Sequence, residues 1–225
     1  MKIGIIVAMH KELELLLPLL QNSEESRMGG CEFHRGKVGR HDVIAMQCGI
    51  GKVNAAIGTL TLVNSFLPDF VINSGVAGGA DQSISVMDVV AGARVAYHDV
   101  WCGPESELGQ VQGLPLYFEG ARRLLDLVPD REGIHKGLIC SGDQFIDTLD
   151  AVSRIKGNFP EALAVDMESG AIAQVCHLNK VPFLALRVIS DSPGASHDNT
   201  RQYLDFWTDA PQETFNLVKD IITRL

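Results

Sequence analysis

Ala164-Val165-Asp166-Met167-Glu168-Ser169-Gly170-Ala171-Ile172-Ala173 runs from a short apolar segment through two acids into small residues with a helical pattern. The stretch predicts a strand over 162–165 and a helix from about Glu168 to Leu178. A carboxylate at that junction lies in the first turn of the coming helix, where unpaired backbone N–H groups favour negative charge. Glu168 therefore reads either as an acid that complements the helix dipole or as a functional group held at an element boundary. Three other stretches, 8–12, 73–79 and 187–191, have the same layout: an apolar strand-like run that ends in polar, acidic or glycine residues.

Outward from this point the chain alternates. Residues 3–9 form a continuous apolar run that suits a strand buried on both faces, followed by helix formers over 11–17 and a stop at Pro18. Residues 31–38 and 42–48 flank a turn at Gly39 and read as a hairpin. A helix is expected over 53–66, a strand over 70–73 and a tight glycine loop over 75–79. Residues 86–97 are rich in β-formers, whereas 98–117 carry Gly and Pro without periodicity and read as a functional or interface loop. Helix signals return over 120–127 and 149–156, with strands over 133–140 and 182–190. The last helix, 211–225, spaces Phe215, Val218, Ile222 and Leu225 for core contact. Alternating strands and helices with an early hairpin predict an α/β fold: one domain, 1–225, with helices on both faces of a mixed sheet.

The chain has 225 residues, 46% of them hydrophobic, which suffices for one sizeable core. A net charge of -9 argues against nucleic acid or an anionic membrane as the partner, since both call for clustered Lys and Arg; a small molecule fits better. The five cysteines are odd in number and scattered, so a disulfide framework is not expected and a cytoplasmic location is. No apolar run approaches the ~20 residues of a membrane span.

Several motifs can be set aside. Gly49-Ile50-Gly51-Lys52-Val53-Asn54 lacks the earlier glycine of a P-loop, where Met46 stands, and its Ser/Thr, where Val53 stands. A dinucleotide fingerprint would need glycine at Asn54. His98 and Cys102, and the adjacent Cys176 and His177, do not have the spacing of a metal site, so no metal is expected. A Gly-x-Ser-x-Gly nucleophile elbow is absent.

What remains forms an ordered set: Gly4-Ile5-Ile6-Val7-Ala8-Met9 followed by Glu12, Gly49-Ile50-Gly51-Lys52-Val53-Asn54-Ala55-Ala56, Asn73-Ser74-Gly75-Val76-Ala77-Gly78-Gly79, Tyr97-His98-Asp99, Ser141-Gly142-Asp143-Gln144-Phe145-Ile146, Asp166-Met167-Glu168 and Ser190-Asp191. From residue 2 to about 192 the chain resembles the nucleoside phosphorylase superfamily, and within it the 5'-methylthioadenosine/S-adenosylhomocysteine nucleosidases. The resemblance implies a three-layer α/β/α subunit, usually a homodimer, without cofactor, that hydrolyses the N-glycosidic bond of 5'-thio-substituted adenosines.

Breaking that bond builds positive charge on the sugar and negative charge on the base. An acid must protonate the leaving purine, and a carboxylate must hold the attacking water. By the resemblance, Asp191 donates toward adenine N7, Glu12 positions and deprotonates water, and Glu168 binds the ribose hydroxyls and stabilises the cationic sugar. Each has a plain structural reading too, as a helix-start acid or turn residue. Phe145 would stack on the base and Ile146 read its edge through the backbone. Met9 and Met167 would lie against the ribose and 5'-thio group; Ile50, Val76, Ala77, Gly78 and Ser190 would line the site, with Arg187 as a further partner or a structural ion pair. Tyr203 or Phe206 would cap it.

The phosphorylases of the superfamily need a cationic phosphate site, and the corresponding places here are Asn73 and Val76, so water is the better nucleophile. Phosphorolysis, hydrolysis of 6-amino-6-deoxyfutalosine and non-catalytic nucleoside binding are the alternatives. Val76, Asp166, the segment 101–104 and the loop 192–199 depart from the family pattern and bear on the 5' pocket. The loop 98–117 is the expected dimer contact, closing the neighbour's site, or else an ordinary surface loop.

Overall fold

A computed structural model describes residues 1–193, 199–209 and 212–225. The chain begins with β1 (Lys2–Val7), α1 (His10–Leu16) and a 3-10 turn (Leu17–Leu19), where Pro18 ends the helix. There follow β2 (Gln21–Met28), β3 (Cys31–Val38), β4 (His41–Gln47), α2 (Lys52–Phe66), β5 (Phe70–Gly79) and β6 (Val89–Tyr97). After an irregular stretch come β7 (Phe118–Glu119), α3 (Arg122–Leu125), β8 (Ile134–Ser141), α4 (Leu149–Asn158), β9 (Ala162–Asp166), α5 (Ser169–Asn179) and β10 (Phe183–Asp191). Two helices, α6 (Asn199–Asp209) and α7 (Gln212–Arg224), complete the chain.

The strands form one mixed sheet. β1 pairs in parallel with β4 and β5, β5 with β10, and the β2–β3–β4 meander runs antiparallel off one edge. At the other end the sheet closes on itself: β10 pairs β6, β6 pairs β8, β8 pairs β9, and β9 returns to β5. β1 lies between β4 and β5, and β10 between β5 and β6, and both are buried almost along their whole length, which is why their apolar residues run on rather than alternate. One apolar cluster includes Ala55, Leu62 and Phe66 of α2 with Ala171, Ile172 and Cys176 of α5; another includes Leu13 and Leu16 of α1 with Leu217, Val218, Ile221 and Ile222 of α7. The sheet lies between these layers, in the expected α/β/α architecture.

Three differences from the sequence reading bear on the site. The glycine run 75–79 continues β5 instead of turning away from it, because its neighbours on both sides, β10 and β9, lie too close to leave room for larger side chains. A Cβ on Gly79 would come within 3.3 Å of Ile189 and one on Gly78 within 3.0 Å of Pro193 and 3.2 Å of Val165. β2, whose Gln21-Asn22-Ser23-Glu24-Glu25 has no apolar alternation, forms as an exposed edge strand by pairing with β3. α6 was not expected, although Asn199 followed by Gln202 three residues later is a helix-start pattern. Of the last helix, Val218, Ile222 and Leu225 are buried as expected; Pro211 and the side chain of Phe215 lie outside the described part, as do residues 194–198 of the loop 192–199.

Candidate active site

The parallel strands β1, β5 and β10 end on one side of the sheet, and the stretches after β1 and within the ends of β5, β9 and β10 meet there. This is where open α/β sheets bind ligands. They enclose a cleft, mostly apolar in its lining, into which a few polar and acidic groups converge.

Glu12 lies at the third position of α1. No side chain caps this helix from its N-terminal residue, Met9, so the carboxylate of Glu12 turns back to do it. Oε2 accepts the N–H groups of Ala8 and Met9, both at 2.9 Å, and Oε1 accepts that of Val76 at 3.1 Å. Gly75 makes the approach possible, for a Cβ there would stand 2.7 Å from Glu12 Oε1. Burial pushes the carboxyl up from its ordinary range, opposed by these N–H donors and by Arg187. The outcome is a base held nearer to neutrality than a surface glutamate.

Glu168 does not serve the dipole of its own helix. It stands at the N-terminal boundary of α5 with its side chain directed away, and Oε1 accepts the Gly51 N–H at the start of α2 at 2.9 Å. Asp166 caps α5 in its place, accepting the Ser169 N–H at 3.1 Å and its hydroxyl at 2.8 Å. Burial, then the charge of Asp166, raise Glu168 to about 7.

Asp191 ends β10 at a bulge. Ile189 pairs with Ala77 and Asp191 with Gly78, so Ser190 is the extra residue and re-aims the acid. Ser190 donates its hydroxyl to Oδ1 at 2.5 Å. Oδ2 is buried without a hydrogen-bond partner among the described residues. Burial raises the carboxyl, while Ser190 and the nearby Asn199 favour its charged form.

The cleft is lined by Met9, Ile50, Val76, Ala77, Gly78, Phe145, Ile146, Met167, Ser190 and Tyr203 together with the three acids, so these sequence-derived residues converge on one place. Tyr203 donates its hydroxyl to the Met9 sulfur at 3.3 Å and meets the edge of Phe145 with ring centroids 5.6 Å apart. Phe206 is buried against Trp207 and does not line the cleft. Arg187 does not line it either. Only 1% exposed, it sits behind the wall, where Nε meets Asp166 Oδ2 at 2.7 Å and Nη2 meets the Asn73 side-chain carbonyl. Its role is to neutralise buried acids rather than to touch a ligand. Ala8, Gln144, Val165 and Asp166 also face the cleft; Ala8, Gln144 and Asp166 are immediate neighbours of Met9, Phe145 and Met167, and Val165 lies two residues before Met167 at the end of β9. Among the described residues the one group placed to hold a metal ion, Glu25, Glu32 and His34, sits on the β2–β3 hairpin and lines no part of the cleft.

The family model of the phosphorylase superfamily matches residues 2–223. A 5'-methylthioadenosine/S-adenosylhomocysteine nucleosidase of Desulfotalea psychrophila is 42% identical over 85% of this chain and 84% of its own. The chain belongs to this superfamily and to its nucleosidase family. A solved nucleosidase of this family, the Streptococcus pneumoniae enzyme in complex with 8-aminoadenine, is 36% identical and superposes with a TM-score of 0.95 over 100% of both chains. A futalosine hydrolase mutant of Helicobacter pylori is 28% identical with a TM-score of 0.91, over 100% of this chain and 99% of its own. The superfamily thus places both kinds of hydrolase on the same frame.

Proposed function

We propose that the protein hydrolyses the N-glycosidic bond of 5'-methylthioadenosine and S-adenosylhomocysteine to adenine and the 5-thio-substituted ribose. The observation that carries this reading is the charge of the cleft: four buried carboxylates, Glu12, Asp166, Glu168 and Asp191, face it, and among the described residues no Lys, Arg or His lines it. A phosphate dianion needs cationic or paired N–H donors, and the N–H of Val76 is already given to Glu12. Water has no such requirement.

Asp191 acts as the acid. Burial favours its proton, and Oδ2 is the oxygen left to carry it toward the leaving base. Glu12, held at both oxygens by backbone donors, accepts a proton from water. Ionised Glu168 binds the ribose hydroxyls and offsets the charge that develops on the sugar ring. The division of labour resembles that of the paired carboxyls in glycoside hydrolysis. Phe145, half exposed at the mouth, stacks on adenine, and the Ile146 backbone reads the edge of the base; Met9, Met167 and Tyr203 surround the 5' side.

The chain acts as one domain over 1–225, in the cytoplasm, in keeping with five unpaired cysteines. It works as a homodimer. Val53, Ile57 and Leu60 form an exposed apolar stripe on α2, and Trp101 adds a further exposed ring. The likeness to the futalosine hydrolase supports a second substrate, 6-amino-6-deoxyfutalosine, which would share the base and ribose contacts.

The test is incubation with 5'-methylthioadenosine, with and without phosphate, following adenine and weighing the sugar product. Free methylthioribose formed without phosphate is expected. Methylthioribose 1-phosphate formed only with phosphate would replace the hydrolase with a phosphorylase, and adenine released only from 6-amino-6-deoxyfutalosine would move the substrate to the second reading.

A further inference from the structure

We infer that Asp143, through Lys52 and Asp99, is a positioning residue for Glu168: it fixes the start of α2 so that the Gly51 N–H stays on the Glu168 carboxylate. The inference rests on the role proposed above for Glu168. Gly51 has φ +92°, a conformation that L side chains rarely adopt, and its N–H is the one backbone donor among those favouring the charged form of Glu168. No side chain on α2 or at its N-terminal boundary caps the helix. Asp143 supplies the missing cap from another part of the chain. Its Oδ1 accepts the Lys52 N–H at 2.7 Å, and a Cβ on Gly51 would lie 3.0 Å from that same oxygen.

The clamp is tied down from both ends. Lys52 Nζ donates to both oxygens of Asp99, at 3.0 and 2.9 Å, and lies 5.4 Å from the centre of the Tyr97 ring. Asp99 Oδ2 in turn accepts the Asp143 N–H at 2.8 Å. Asp143, Lys52 and Asp99 thus close a ring that joins the stretches after β4, β6 and β8. Asp143 is followed directly by Gln144, Phe145 and Ile146 of the cleft wall, and Gly51 is preceded by Ile50. One carboxylate therefore holds together the base side of the cleft and the side on which Glu168 works. None of the three lines the cleft, so each acts through its neighbours.

The experiment compares wild type with Asp143→Ala, which removes the cap, and Asp143→Asn, which keeps an oxygen to accept the Lys52 N–H. Two readouts are taken: turnover of 5'-methylthioadenosine, and the amide proton shift of Gly51 as pH is varied. In wild type the Gly51 shift should follow the ionisation of Glu168, which faces Arg187, Asp166, Glu12 and Cys48. Asp143→Ala should lower kcat by about 10-fold or more with a smaller change in KM and flatten the Gly51 titration, and Asp143→Asn should recover most of both. A Gly51 titration in Asp143→Ala that coincides with wild type would overturn the inference, even if the protein had become less stable. Wild type that releases no adenine would refute the proposed function alone, because the Gly51 titration still decides whether Asp143 holds that contact.

Discussion

At the scale of single residues the site is a problem in placing acids where water is scarce. Glu12 accepts three backbone N–H groups and stands against Gly75, where a Cβ would come within 2.7 Å of its Oε1. Gly75→Ala should therefore displace the carboxylate and cut kcat/KM by about 10-fold or more, because general-base catalysis depends on reach before pKa. Steady-state kinetics beside a melting curve would check it; unchanged kcat/KM would mean the carboxylate has slack. Arg187 faces the opposite risk. Its guanidinium is the cation that Asp166 pairs with, at 2.6 Å, in a fully buried place. Arg187→Met should destabilise the fold by about 3–5 kcal/mol in urea titration, since it leaves a buried charge uncompensated, and Arg187→Met combined with Asp166→Asn should regain part of that loss.

At the scale of elements, the acids work because strand ends and helix starts belonging to distant stretches are brought together. Glu168, between β9 and α5, serves the start of α2, and this sets a pH signature. Its carboxyl is raised from 4.5 to about 7 in the folded protein. Below about pH 4.5 it is neutral in both folded and unfolded chains; as pH rises toward 7 the unfolded chain releases the proton first, and stability is lost. Glu168→Gln should thus gain stability relative to wild type by up to about 3 kcal/mol between pH 4 and pH 8, read from denaturant curves at each pH; a constant difference would refute the raised value. Elements were legible where the apolar pattern was strong, as in β1, α2 and β10. Glycines 75, 78 and 79 suggested a turn, yet they lie in β5, because glycine there admits Glu12, Pro193 and Ile189 at close range. β2 carried too little local pattern to be seen, whereas α6, with Tyr203, Phe206 and Trp207 at helical spacing, was legible but went unread beside the Gly/Pro loop before it. Likewise, the order of the motifs pointed to Glu12, Glu168 and Asp191, whereas the contact between Glu168 and α2 is a tertiary fact that no local signal encodes.

At the scale of the whole molecule, the closed part of the sheet and the helices on its two faces hold the cleft at the carboxyl ends of β1, β5 and β10. The exposed stripe of Val53, Ile57 and Leu60 begins two residues after Gly51. Pairing of two copies would cover it beside the site. Ile57→Lys should accordingly turn a dimer into a monomer in light scattering, and a wild type that is monomeric at working concentration would contradict that arrangement. The central claim concerns the proton given to the departing base. Its most direct test compares wild type and Asp191→Asn on two substrates, 5'-methylthioadenosine and a 5-methylthioriboside whose nitrophenolate leaving group needs no proton. The account predicts a loss of about 10²- to 10⁴-fold in kcat for the adenosine and a far smaller loss for the nitrophenolate. Equal losses on both would show that Asp191 is not the acid.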